Sequence, residues 1–132
     1  MESCQVDTAP RLLTDLPRRL ETHTGFSDAV AELQAGRSAT FDGVVGASCA
    51  LLATSLLLHA PGPLVIVCGT PDIADLVGDD LKMFAEGSPQ RLPAWEAAVG
   101  ERSVHDEVYG ERLRTLKRLE LWRDAHQLQA QG

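Results

Sequence analysis

The feature that most constrains the fold of this 132-residue chain is an uninterrupted apolar segment, PLVIVC, at residues 63–68. The segment is rich in β-branched residues and carries no charge, a pattern typical of a strand covered on both faces in a parallel sheet. An apolar stretch that reads as a helix precedes it at 47–60. A typical helix start, Thr70-Pro71-Asp72, follows it. The sequence therefore predicts a buried strand between two helices.

Two further short strands are predicted, at 38–45 and 90–92. The resulting order of alternating strands and helices predicts βαβ units with right-handed crossovers. The expected fold class is therefore α/β, a small parallel sheet with flanking helices. Because about three strands leave a sheet edge open, we expect the chain to be part of a larger domain. The predicted organisation is a weakly ordered helical extension at 1–25, a partial α/β domain at 26–125 and a tail at 126–132.

Apolar residues at helical spacing and the adjacent capping and stop signals predict the helices. The first region, 7–24, is expected to hold one or two short helices with Pro17 in a first turn or at a kink. The other predicted helices are 27–36 (capped by Ser27 or Asp28), 47–60, 71–86 and a last helix from Ser103 or Val104 to about Ala125.

The charge balance disfavours nucleic-acid binding by this segment. The chain has 12 basic and 19 acidic residues, a net charge of -7, whereas nucleic-acid binders usually carry a basic surplus. The acidity is concentrated in residues 1–90, while residues 91–132 have equal numbers of acidic and basic residues.

The cysteines and the apolar segments predict the compartment. Three cysteines, an odd number, indicate a reducing environment, and the acidic N-terminus does not resemble a signal peptide. The longest apolar stretch, Cys49 to Leu58, falls short of the roughly 20 residues that span a bilayer. We expect a cytoplasmic protein.

The segment between the first predicted strand and the first apolar helix is where a nucleotide-binding turn would lie, but the residues that would bind phosphate and magnesium are absent. A working P-loop reads G-x-x-x-x-G-K-[ST], in which Lys neutralises phosphate and Ser or Thr holds magnesium. With Gly43 in the first position, the second glycine becomes Ser48, the lysine becomes Cys49 and the hydroxyl residue becomes Ala50, while Gly46 lies inside the turn. The sequence therefore predicts a strand-to-helix turn that keeps its glycines for backbone reasons, with no bound cofactor and no catalysis.

Other reactive residues have simpler structural interpretations. Cys49 near a helix start resembles an activated nucleophile, but no partner lies at recognisable spacing, and a buried small residue is preferred. We expect His105 to be a surface residue and Trp95 to pack at the edge of the core or lie in an interface. Four aspartates fit a solvated helix face better than a metal site, and no metal is predicted: Asp72, Asp75, Asp79 and Asp80.

The C-terminal third carries a family resemblance. LPAWE at 92–96 and SVHDEVYGERLRTLKRL at 103–119 resemble the N-terminal region of the bacterial transcription-repair coupling factors. That family has a Pro-x-x-Glu segment followed by Ser-Pro-x-x-Glu-[Ile/Val]-x-x-x-Arg-Leu-x-x-Leu, and Val104 departs from it where Pro is common. The resemblance extends over roughly residues 26–120. The matching residues are Trp95, Glu96, Ser103, Glu107, Val108, Arg112, Leu113 and Leu116.

The resemblance implies a degenerate P-loop NTPase/helicase-like domain, similar to the first domain of the excinuclease B protein, with a decayed ATP site. In this family, the full protein is an ATP-dependent DNA translocase that displaces stalled RNA polymerase in nucleotide excision repair. The implied role is a non-catalytic N-terminal scaffold, in contact with the remaining domains of its own full-length chain. It would support recruitment of the excinuclease A protein by an adjacent domain, while RNA polymerase and DNA are reached only through later domains. The alternative is a stand-alone small α/β nucleotide-binding or protein-interaction domain.

Overall fold

The computed structural model describes residues 13–95 and 106–129. In these ranges a short 3-10 turn, Leu13–Asp15, precedes the α-helices. The helices are α1 (Leu16–Leu20), α2 (Thr24–Gln34), α3 (Ala47–Leu57), α4 (Pro71–Phe84) and α5 (Asp106–Gln129).

The first two helices agree with the predicted regions but differ at their starts. Pro17 lies in the first turn of α1, where its missing N–H costs nothing, as predicted. Helix α2 begins three residues before the predicted cap, after His23, whose backbone is extended. The predicted cap Ser27 lies inside the helix, and its hydroxyl donates a hydrogen bond of 2.8 Å to the carbonyl of Thr24.

The later helices confirm the predictions to within a turn. Helix α3 begins at Ala47 as predicted and ends at Leu57 instead of residue 60. Helix α4 begins at Pro71 and ends two residues early. Helix α5 continues to Gln129, past the predicted end, while its predicted start lies outside the described residues.

The three predicted strands, 38–45, 63–68 and 90–92, are wrong: none of them forms a strand. The PLVIVC segment runs without regular hydrogen bonding, and its Val65 and Val67 side chains are 75% and 90% exposed. A strand needs a neighbouring strand to take up its backbone N–H and C=O groups, and no such neighbour exists among the described residues. Local β-propensity alone does not supply that neighbour.

The described part of the chain is all-helical, so the predicted α/β fold with a parallel sheet is wrong. The P-loop NTPase/helicase-like architecture is overturned with it, because that architecture is built on the same sheet. What remains of the prediction is the set of helices. Their periodicity is a local property of the sequence, whereas the sheet depended on long-range pairing.

The chain divides into two compact units. The first comprises Met1–Ile66 and Leu76–Ser88, and the second comprises Val67–Asp75 and Pro89–Gly132, so that α4 contributes residues to each. In the first unit the buried residues come from α1, α2, α3 and α4. They are Pro17, Phe26, Val30, Ala50, Thr54, Ser55 and Phe84.

A buried hydroxyl joins α1 to α3 in the first unit. Ser55 is fully buried, and its oxygen lies 3.0 Å from the carbonyl oxygen of Pro17 and 2.9 Å from that of Leu51. Since a hydroxyl has one proton, the two carbonyls share it. Nearby, Phe26 contacts the rings of Phe41 and His59, with centroids 6.5 and 5.8 Å away. Aromatic packing and one satisfied polar contact together hold these helices.

The second unit is held by polar contacts to α5. Thr115 is buried, and its hydroxyl donates a 2.7 Å hydrogen bond to the carbonyl of Arg91. The guanidinium of Arg91 in turn pairs with the carboxylate of Asp75. Helix α5 is otherwise largely exposed, and Thr115 is its one buried residue in the described chain. The segment at 91–95 therefore lies along one face of the first half of α5.

Candidate functional site

The predicted nucleotide-binding turn exists as a turn, and it ends where α3 begins. Gly43 has φ 73°, and Gly46, the residue that precedes α3, has φ 57° and ψ −138°. A Cβ built at either glycine would meet no atom within 4 Å. The glycines are therefore required by backbone conformation, which L-residues with side chains adopt only at a cost, and not by close approach of other protein atoms.

Backbone amides of the turn donate hydrogen bonds to carbonyls of the same turn. The amide of Ser48 donates to the carbonyl of Val45 at 3.3 Å, and that of Cys49 donates to the carbonyl of Gly46 at 3.0 Å. The Ser48 hydroxyl accepts from the Val45 amide at 3.0 Å and donates back to the Val45 carbonyl at 2.6 Å. A phosphate cradle needs such amides free to point at the ligand. Here they close the turn internally.

The two positions that would handle charge face the protein. Cys49 is half-buried, with its Sγ 3.7 Å from the carbonyl oxygen of Val44, and Ala50 is fully buried. The cation and the magnesium ligand of a working P-loop are therefore replaced by a thiol and a methyl group.

Two of the four aspartates of α4, Asp75 and Asp79, form ion pairs, each with a different partner. At the start of α4 the hydroxyl of Thr70, rather than an aspartate carboxylate, accepts a 3.3 Å hydrogen bond from the backbone amide of Ile73. Asp75 pairs with Arg91, and Asp79 accepts a 2.8 Å hydrogen bond from Lys82, which lowers the pKa of that carboxyl. No three His, Cys, Asp or Glu side chains lie close enough to hold a metal ion anywhere in residues 13–95 and 106–129.

Two residues of the family resemblance, Trp95 and Arg112, come together in the second unit. The guanidinium carbon of Arg112 lies 4.7 Å from the centroid of the Trp95 ring, and its Nη1 donates a hydrogen bond to the carbonyl of Pro93. The rings of Trp95 and Tyr109 have centroids 6.3 Å apart. We call Trp95, Tyr109 and Arg112 the aromatic cluster.

The aromatic cluster is accessible to solvent. Trp95 is 52% exposed and Tyr109 is 50% exposed, although Arg112 covers part of the indole. Two contacts hold the guanidinium of Arg112: a hydrogen bond to the Pro93 carbonyl and packing over the face of the Trp95 ring. Lysine has no planar group and cannot reproduce this arrangement. The cluster therefore presents two large, positioned aromatic surfaces.

The other predicted motif residues divide into three groups. Val108 is half-buried, in line with Arg112 and Thr115 on the covered face of α5, whereas Glu107, Leu113 and Leu116 are exposed. Glu96 and Ser103 lie outside the described residues, as does His105, which was expected at the surface and is not part of the motif.

Two residues that shape this site are absent from the set predicted from the sequence. Tyr109 is one, although it lies three positions before Arg112 and therefore on a neighbouring part of the helix surface. Thr115 is the other, although it follows Val108 by two helical turns and continues the face covered by residues 91–95. Helical spacing from Arg112 is the signal that could have identified both.

No described helix has both the length and the apolar character needed to cross a membrane. Comparisons of the chain with protein-family models, with curated proteins and with solved structures return no match.

Proposed function

We propose that this chain is a non-catalytic protein-binding module, and that it serves as an N-terminal scaffold of a transcription-repair coupling factor in the cytoplasm. The observation that carries the proposal is the aromatic cluster, in which Arg112 holds a half-exposed Trp95 beside Tyr109. Trp, Tyr and Arg are the residue types that dominate the binding energy of protein interfaces. The coupling-factor assignment is supported by the residue pattern at 92–96 and 103–119.

The internal hydrogen bonding of the turn at 43–50 supports the non-catalytic part of the proposal. The amides of Ser48 and Cys49 are engaged by the turn, and Ala50 is buried where a magnesium ligand would be needed. Without a cation, a bound triphosphate would face a chain of net charge -7. A scaffold needs neither phosphate chemistry nor a bound cofactor.

The proposed partners are the other domains of a coupling factor. In this role the chain touches neither DNA nor RNA polymerase itself, and it supports recruitment of the excinuclease A protein through an adjacent domain. The likeness to a sheet-based first domain of the excinuclease B protein is not part of the proposal, because the described chain has no sheet.

The binding test titrates the chain with a bacterial coupling factor that lacks its own N-terminal region, followed by isothermal calorimetry and co-elution. We expect a complex, and we expect Trp95→Ala to weaken it by about 30-fold, the effect of losing a hot-spot residue worth about 2 kcal/mol. The matched control is Trp122→Ala, which removes the partly exposed tryptophan in the far half of α5. Absence of a complex with wild-type chain would contradict the coupling-factor assignment and favour a stand-alone interaction domain.

A separate titration tests the absence of nucleotide chemistry. Calorimetry with ATP and magnesium should give no binding heat even at millimolar nucleotide. A dissociation constant in the micromolar range would overturn the non-catalytic proposal, whatever the outcome of the protein-binding test.

A further inference from the structure

The PLVIVC segment at 63–68 has the side-chain pattern of a strand. Its backbone neither turns nor bends within this range, and the exposure of its side chains alternates with the two-residue period of an extended chain. Leu64 and Ile66 are 39% and 42% exposed, whereas Val65 and Val67 are 75% and 90% exposed. One side of the segment is therefore half-covered, and the other is open to solvent.

The backbone of this segment has no hydrogen-bonding neighbour. No N–H or C=O group of residues 63–68 forms a hydrogen bond with a residue that the structure describes. Such groups along an extended apolar segment are a template for pairing with a strand of another chain. The component that fits this segment is therefore an added β-strand.

We propose that the added strand is the same segment of a second copy, paired antiparallel about a two-fold axis at Ile66. In that register Val65 of each copy lies opposite Val67 of the other, on one side of the two-stranded ribbon. The two most exposed side chains of the segment then cover one another, and the symmetry repeats the contact. The pairing involves only these consecutive residues of each chain.

Composition selects a second copy as the occupant. A strand beside PLVIVC has to be apolar and uncharged, because a charged side chain opposite a valine would lose water without gaining a partner. Among the described segments outside the helices, 63–68 is the one apolar run of six residues without a charge. The strand that this protein offers to the segment is therefore the segment itself.

Charge and proline set the direction and the length of the pairing. In an antiparallel pair, Asp72 of each copy lies beyond the end at which the other copy has the uncharged residues 60–62. A parallel pair would bring the two Asp72 side chains to the same end, and like charges that face each other are costly. Pro63 and Pro71 have no N–H to donate and limit the pairing on either side. We therefore expect a small interface and a weak dimer.

The test is sedimentation velocity from about 1 µM to about 1 mM chain, a range suited to a small interface. Wild-type chain should dimerise as its concentration rises. Val65→Lys with Val67→Lys should weaken the dimer by at least about tenfold, because lysine then faces lysine on both sides of the axis. Val65→Lys with Val67→Asp should keep the dimer, because each lysine then faces an aspartate of the other copy.

The control adds the same charge to exposed apolar positions outside the segment. Val45 and Leu121 are 75% and 60% exposed, and Val45→Lys with Leu121→Lys should leave the dimer as in wild type. Circular dichroism checks that all three variants keep the helical content of the wild-type chain.

Four results would overturn the proposal. The first is a wild-type chain that stays monomeric at every concentration. If that monomer binds the coupling factor and the double-lysine variant of the segment does not, the added strand belongs to that partner. The second is a control variant that weakens the dimer as much as the double-lysine variant does. The third is a lysine–aspartate variant as monomeric as the double-lysine variant, which would exclude the antiparallel register. The fourth is growth beyond a dimer, which would indicate open-ended stacking of strands.

Discussion

The two units of this chain are held together by different forces. In the first, Phe26, Ala50 and Ser55 from α2 and α3 are buried, and the polar atom among them is satisfied within the core. In the second, α5 buries a threonine and otherwise makes polar and cation–π contacts to residues 91–95.

The difference shows how composition sets the kind of stability that a helix acquires. Helices with small and aromatic residues at core spacing form a dry contact, and their stability follows buried area. Helix α5 has charged residues around most of its surface, so it is fixed by a few directional bonds and leaves most of its apolar side chains available.

The largest expected effect is in the core of the first unit. Phe26→Ala should lower the free energy of unfolding by about 3 to 5 kcal/mol, because it leaves a cavity beside Phe41 and His59. Both tryptophans, Trp95 and Trp122, belong to the second unit, so their fluorescence reports on that unit. Denaturant unfolding should show a large shift by circular dichroism and a smaller one by fluorescence. Equal shifts by both probes would contradict the division of stability between the units.

The next effect concerns the turn before α3. Gly46→Ala should destabilise the first unit by about 1 to 3 kcal/mol, since alanine is strained at φ 57° and ψ −138°. Gly78→Ala is the matched control: Gly78 lies inside α4 with no atom within 4 Å of an added Cβ, and the change should stabilise by about 0.5 to 1 kcal/mol. A neutral Gly46→Ala variant would show that the glycine is not required by the backbone.

A smaller effect is expected in the second unit. Arg112→Ala removes the hydrogen bond to Pro93 and the contact with the Trp95 ring, and should cost about 1 to 2 kcal/mol. In a Trp122→Phe background the emission of Trp95 should also shift to the red as its ring becomes more exposed. The control is Arg114→Ala on the same helix. Unchanged emission in the Arg112 variant would contradict the role of this side chain in positioning the tryptophan.

The smallest effect is the pH dependence of an exposed ion pair between Glu32, near the end of α2, and Arg37, which follows the helix. Arg37 donates to Glu32 at 2.7 Å, and this bond lowers the pKa of the Glu32 carboxyl from its ordinary 4.5. A lowered folded-state pKa stabilises the fold above pH 4.5, and this contribution disappears as the pH falls through the folded-state value. Because both groups are exposed, Glu32→Gln should change the melting temperature near the limit of detection at pH 7 and not at all at pH 2 to 3. A larger loss in acid than at neutral pH would contradict the sign of this effect.

Local sequence signals predicted the helices. They also show that the turn at 43–50 lacks the lysine and the Ser or Thr of a P-loop. Pro17, Ala47 and Pro71 lie at helix starts because proline and the preceding turn act within a few residues of chain. The replacement of a P-loop lysine by Cys49 is likewise visible in the sequence alone. For the aromatic cluster, the sequence identified Trp95 and Arg112 as candidate residues but did not predict their contact. The two residues are separated along the chain, and their contact depends on how residues 91–95 cross α5.

The sequence by itself determined which segments are helical. Tertiary structure alone decided that PLVIVC is not a strand, since a strand exists only with a hydrogen-bonding neighbour and the described chain provides none. Tertiary structure also decided which apolar residues are covered. Phe26 is 4% exposed and Val67 is 90% exposed, although both would be assigned to a core by hydropathy. Burial depends on the partners that the whole chain brings to a residue, and local composition does not encode them.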